Sequence, residues 1–148
     1  GQSSRGLGDV YKRQPRYTSK VVERADTTTY DGLQSNLAVS VWSGAYDPIA
    51  IVRNEELVLL KAEANIGKGG DGLTEINAVR TAHGLAAAST GGIDQLLHEK
   101  RYSLFMEGHR WVDMRRYGKT AALPNDRSDR GDKVFDSFPL PEAETKGK

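Results

Sequence analysis

Cysteine is absent from the 148 residues, which removes disulfides, thiolate nucleophiles and thiolate metal sites together. A charge of one sign is also missing. The 21 Lys and Arg against 20 Asp and Glu leave a formal +1, so no global field draws the chain to nucleic acid or to an anionic membrane. Long apolar runs are lacking as well: stretches such as Leu57-Val-Leu-Leu60 fall far short of the ~20 residues that span a bilayer. Hydrophobic residues make up 37% and the mean hydropathy is −0.59, low for a self-sufficient globule, which points to a piece of a longer protein.

Residues 1–14, "GQSSRGLGDVYKRQ", show neither an apolar core nor a periodic pattern and lack the layout of a signal peptide. Asp9-Val-Tyr-Lys-Arg-Gln14 looks like a translation of the transposon-end tag used to prepare DNA sequencing libraries. On that expectation residues 1–14 are a non-native tail and the true N-terminus is missing. Residues 15–47 are rich in Thr, Ser, Tyr and Val, with turn signals at Asp31-Gly32 and Ser43-Gly44. Leu37, Val39 and Val41 alternate with Ala38 and Ser40, the period-two mark of a short strand within an irregular, extended segment.

From Pro48 onwards the pattern becomes helical. "NEELVLLKAEANIG" consists of strong helix formers, with Asn54 placed to cap, Glu55 and Glu56 in the first turn where acids favour the helix dipole, and Gly67 as the stop. Leu57, Leu60 and Ala64 on one side, with Val58, Leu59, Ala62 and Ile66 filling much of the rest, predict a helix sandwiched between partners. "GKGGDG" connects it to a second helix, "LTEINAVRTAHG", capped by Asp71, with Leu73, Ile76 and Val79 inward and Gly84 as the stop. Ile93, Leu96, Leu97, Leu104 and Phe105 describe a third helix with one buried stripe. Lys100 and Arg101 fall on that stripe, and a buried cation without a partner costs several kcal/mol; Glu63 is the candidate partner. Gly108 predicts a break, after which "HRWVDMRRYG" forms a short helix ended by Gly118. The rest is punctuated by prolines and aspartates and reads as an irregular wrap anchored by Phe135 and Phe138.

Chemistry-bearing residues are concentrated in Glu107 to Lys119. His109 and Asp113 stand four apart and share a helical face, but two ligands do not make a zinc site, and His98-Glu99 lacks the second histidine of HExxH, since position 102 is tyrosine. "GKGGDG" lacks the Walker spacing and reads as a loop. His98 to Lys119 carries six Lys or Arg against three Asp or Glu, with Trp111 and Tyr117 interleaved, a composition suited to single-stranded nucleic acid. Arg110, Arg115 and Arg116 do not line one face, however, and Glu107 and Asp113 sit among them as ion-pair partners, so the nucleic-acid reading ranks below a structural one. Serines have no GxSxG-like setting, and nothing in the residues argues for an enzyme or a cofactor.

Taken together, "PIAIVRNEELVLLKAEANIG" (Pro48 to Gly67), "EINAVRTAHGL" (Glu75 to Leu85), "LLHEKRYSLFMEGHRWVDMRRYG" (Leu96 to Gly118) and "FPLPEAE" (Phe138 to Glu144) resemble the C-terminal part of the SusD/RagB family, in its order and spacing. These are outer-membrane nutrient-binding lipoproteins of Bacteroidetes and related bacteria. The positions that carry the resemblance include Arg53, Glu56, Glu63, Arg101, Glu107, Gly108, Arg110, Trp111, Asp113, Arg115 and Gly118. Tyr102 and Ser103 depart from it, standing where further Arg or Glu are common.

The resemblance implies a mainly α fold of tetratricopeptide-type helix pairs with irregular loop segments, residues 48–148 being its C-terminal helical part. It implies no catalysis, no metal and no cofactor. It also implies a TonB-dependent, SusC-like outer-membrane transporter as partner and an oligosaccharide or other nutrient as ligand. The membrane would be reached only through a lipid anchor absent from this fragment. Ligand residues do not carry over from the motif. Because aromatic rings stack on sugars, Trp42, Tyr46 and Tyr30 in the loop-rich half are the candidates. The rivals are a tetratricopeptide-like protein-binding scaffold, which leaves "FPLPEAE" unexplained, and a nucleic-acid-binding module using the local basic charge.

Overall fold

The computed structural model describes residues 14–30, 32–42, 44–125, 128–138 and 140–141. The chain forms two compact units, one ending at His109 and one beginning at Arg110.

In the first unit, α1 (Pro15–Thr18) leads into an antiparallel hairpin of β1 (Val21–Tyr30) and β2 (Leu33–Val39). Three helices follow: α2 (Asn54–Gly67), α3 (Leu73–Ala82) and α4 (Ile93–Ser103). The chain is mainly α, as expected. Its core is small and consists of Leu59 and Ala62 from α2, Ile76 and Val79 from α3 and Leu96 from α4, with Val58, Ile66, Ala88 and Ile93 packed around it. These positions recur at spacings of three and four along their helices, so each helix gives one stripe to a common centre.

α2 differs from the sandwiched helix expected. Leu59, Ala62 and Glu63 are its buried residues, while Leu57 and Leu60 are 54% and 56% exposed. The stripe through 59, 62, 63 and 66, with Val58 beside it, faces the core, and the Leu57 and Leu60 side is left more than half exposed. The caps also shift by one place. Arg53 is the cap of α2, and Asn54 is its first helical residue. Gly72 caps α3, yet Asp71 still accepts from the Leu73 N–H at 3.0 Å and so satisfies one of the donors that a helix start leaves open.

Glycine at 91 has a packing cause. Its backbone lies against the start of α3, where its carbonyl accepts from the Gly72 N–H at 2.9 Å, and a Cβ would come within 2.4 Å of the Leu73 nitrogen. The loop "GKGGDG" is therefore pinned by a second loop.

The hairpin spans more than the short strand read from Leu37 to Val41. It pairs Val21 with Val39 and Tyr30 with Leu33, with an irregularity between Glu23 and Thr28. Both strands are largely exposed, so β1, with its run of threonines and charges, carries no alternation to betray it. Of the two turns expected, Asp31 and Ser43 lie outside the described residues, while Gly32 has a left-handed φ of 74° at the hairpin tip.

α4 ends at Ser103, short of the Phe105 that its apolar spacing reaches. Met106 and Gly108 take left-handed φ values of 65° and 82°, and the next helix, α5 (His109–Arg116), begins directly after them. The second unit contains the rest of α5, a left-handed Gly118 with φ 63°, and single 3₁₀ turns at Thr120–Ala122 and Ser128–Arg130. Asp113 and Met114 are its buried residues on α5. The Trp111 Nε1–H donates to the Phe135 carbonyl at 2.7 Å, and its ring lies 5.1 Å from that of Phe138. Of "FPLPEAE", Pro139 and Glu142 to Glu144 lie outside the described residues.

Candidate functional site

The polar groups of the first unit fall into three clusters, each built on α4. In the innermost, Glu99 is fully buried and its carboxylate receives Arg16 at 2.6 Å, Arg80 at 2.6 Å and the Gln95 amide at 2.6 Å. Arg16 is itself 1% exposed. It donates to Ser103 Oγ at 3.0 Å and lies 5.4 Å over the Tyr102 ring. Tyr102 and Ser103 thus flank this arginine.

In the second cluster Lys100, 9% exposed, pairs with Glu63 at 3.2 Å. Glu63 was the partner expected for the buried stripe, and Lys100 is the cation that meets it, while Arg101 is half-buried.

The third cluster closes the C-terminal end of α4. Lys20 Nζ donates to the Ser103 carbonyl at 2.7 Å and the Tyr102 carbonyl at 3.2 Å, and Arg53 donates to the same Ser103 carbonyl. Cations at this end oppose the negative pole of the helix. Glu107 then binds both of them, Arg53 through a two-pronged contact with Nε to Oε2 at 3.2 Å, and Lys20 at 3.7 Å. Burial lowers the Lys20 pKa, with the Arg53 charge adding to the effect and Glu107 opposing it. Nearby, Glu55 takes His83 at 2.6 Å. Burial alone would raise the Glu55 pKa, but hydrogen bonds from Ser103 and His83 outweigh it, and the carboxyl ends below its usual range.

In front of this third cluster lies a cleft of about 480 Å³. Val41, Trp42 and Pro48 to Ile51 line it from the segment between β2 and α2, Arg53 and Glu56 from the start of α2, and Met106, Glu107 and His109 from the corner after α4. Glu56 and His109 face each other across 3.7 Å, beyond hydrogen-bond reach, and among the described residues neither has another side-chain partner. The wall therefore offers one carboxylate and one imidazole with unfilled hydrogen-bonding capacity, beside an indole 40% exposed.

Of the aromatic candidates with described side chains, Trp42 lines this cleft. Tyr46 is fully exposed and stands outside it, and the Tyr30 side chain lies outside the described residues. Glu56 is a signature residue and His109 a candidate ligand in the sequence; their meeting in a cleft is not legible there, because they stand 53 positions apart. His109 meets Glu56, and the metal pairing considered through Asp113 has no third acid, cysteine or histidine gathered with it among the described residues.

The second unit holds a separate cleft of about 390 Å³ lined by Trp111, Leu123, Pro124, Lys133, Val134, Phe135 and Phe138. Arg115 lies 5.5 Å over the Trp111 ring. Lys133 is the one charged residue in that lining.

The sequence profile of the SusD family matches residues 8–147. The chain belongs to the SusD family. The SusD family is a binding, non-catalytic family of outer-membrane-associated nutrient-uptake lipoproteins. No curated protein and no solved structure matches the chain. No helix among its described residues is long and apolar enough to cross a membrane.

Proposed function

We propose that this SusD-family chain takes part in capturing an oligosaccharide or a similar polyhydroxylated nutrient at the outer membrane and passing it to a TonB-dependent, SusC-like transporter. In the full-length protein a lipid anchor would hold it outward-facing. The observation that carries the reading is the cleft in which a partly exposed Trp42 stands beside Glu56 and His109. An indole face covers the C–H surface of a sugar ring, and a carboxylate with open lone pairs accepts its hydroxyls. No group in the cleft acts as a nucleophile in this account. The residues bind and orient only.

Binding to a glycan array by the chain, and pull-down of a TonB-dependent transporter by the full-length protein, test the two halves of the proposal. A cleft that binds no glycan would remove the first half. Failure to retain any transporter would remove the second.

A protein-binding scaffold is the second reading. It is favoured by the exposure of Leu57 and Leu60 on α2, apolar surface of the kind that a partner helix covers.

A further inference from the structure

We infer that the cleft selects by charge, accepting uncharged or amine-bearing saccharides and disfavouring uronates. The inference rests on the reading of this cleft as a saccharide site.

The lining contains two carboxylates, Glu56 and Glu107, against one guanidinium, Arg53, and one imidazole, His109. The Arg53 charge is already matched, because its Nε and one terminal nitrogen hold both oxygens of Glu107. Its remaining N–H groups can still donate to a neutral hydroxyl. Lys20, the other cation near the cleft, does not line it. Its ammonium is engaged by the Tyr102 and Ser103 carbonyls and lies 3.7 Å from Glu107. Behind these, the charge of Glu55 is turned to His83 at 2.6 Å.

Glu56 is different. Its carboxylate has His109 at 3.7 Å as its one side-chain partner among the described residues, and a quarter of the side chain is exposed. The remaining walls, Trp42, Pro48, Ile49 and Met106, are apolar and add no charge of their own. A sugar lying against Trp42 therefore meets a negative wall. A hydroxyl or an ammonium group donates to it, whereas a second carboxylate is repelled by it and finds in the lining, besides the His109 imidazole that faces Glu56, no uncommitted cation.

Calorimetric titration of the chain with three oligosaccharides of matched length tests this: neutral glucose oligomers, glucosamine oligomers and galacturonate oligomers. The expected result is binding of the first two at least about tenfold tighter than of the third, and collapse of that ratio to within about threefold in Glu56→Gln. Galacturonate binding equal to or tighter than the others, or a ratio unchanged in Glu56→Gln, would overturn charge selection while leaving the saccharide site standing. Binding of none of the three would overturn both.

Discussion

Arg16 and Glu99 stand 83 positions apart in the sequence and meet at 2.6 Å, with side chains 1% and 0% exposed. The contact ties the start of the described chain to the middle of α4. Arg80 and Gln95 complete the coordination of the same carboxylate, so one buried anion organises residues from α1, α3 and α4.

A buried ion that loses its partner keeps its desolvation cost. Arg16→Ala is therefore expected to lower unfolding free energy by about 3 kcal/mol, and Glu99→Ala, which strands two arginines, by about 3–5 kcal/mol. Urea denaturation of both variants checks this. A loss below about 1 kcal/mol in each would show that water or the remaining partners compensate.

Glu63 and Lys100 form a second buried pair, at 3.2 Å. Glu63→Ala should cost several kcal/mol, while the double change Glu63→Leu with Lys100→Met should cost less, since neither member of this pair is left charged. Arg101→Ala, at a half-buried position, should cost less than Glu63→Ala. A double-mutant cycle measures these terms, and additive losses for Glu63 and Lys100 would contradict the pairing.

Stability should fall with acid in two stages. The His98 pKa is lowered below 6.5, mainly by partial desolvation of a side chain that keeps solvent access, so this stage is the shallower one; Glu99 opposes the shift and the Arg16, Arg80 and Arg101 charges reinforce it. The folded state thus binds a proton at His98 less readily than the unfolded chain, so some stability is lost as pH drops below 6.5 towards the lower folded value. Glu55 contributes the second stage. Its folded pKa lies below 4.5, so its contribution is present above 4.5 and is lost as pH falls through the folded value. Unfolding free energy measured across pH should lose its first stage in His98→Gln, and an unchanged profile in that variant would refute the assignment.

Two glycines should respond in opposite directions to alanine. At Gly91 a Cβ would strike the Leu73 backbone at 2.4 Å, so Gly91→Ala is expected to cost about 1–3 kcal/mol. At Gly67, the last residue of α2, nothing lies within 4 Å of the added carbon, and Gly67→Ala should gain up to about 1 kcal/mol in helix propensity. Thermal melts of the pair decide it, and melting temperatures shifted in the same direction would contradict this packing.

The helices were legible because their cores repeat at three and four residues and glycines mark their ends. Ile76, Val79 and Leu96 fall on stripes visible in the sequence, whereas α2 is apolar almost all round, so its buried stripe at Leu59 does not stand out from the exposed one at Leu57 and Leu60. The hairpin was half hidden, since β1 buries neither face and so has no period to display. Polar partners were mostly illegible. Pattern reading shows that a charge falls on a buried stripe, as with Lys100, but not which distant residue meets it. Arg16 had no stripe at all: a four-residue helix holds it, and its burial depends on α4. The cleft was the least legible feature. Trp42, Glu56 and His109 come from three separate segments, and their meeting follows from where the α4 corner turns at Met106 and Gly108.

The central claim is that Trp42 receives a saccharide in this cleft. Calorimetric titration with neutral oligosaccharides should show saturable binding to the unaltered chain and binding at least about tenfold weaker in Trp42→Ala, with the helical circular dichroism of the two unchanged. Undiminished binding by Trp42→Ala, or no binding by the unaltered chain, would contradict it.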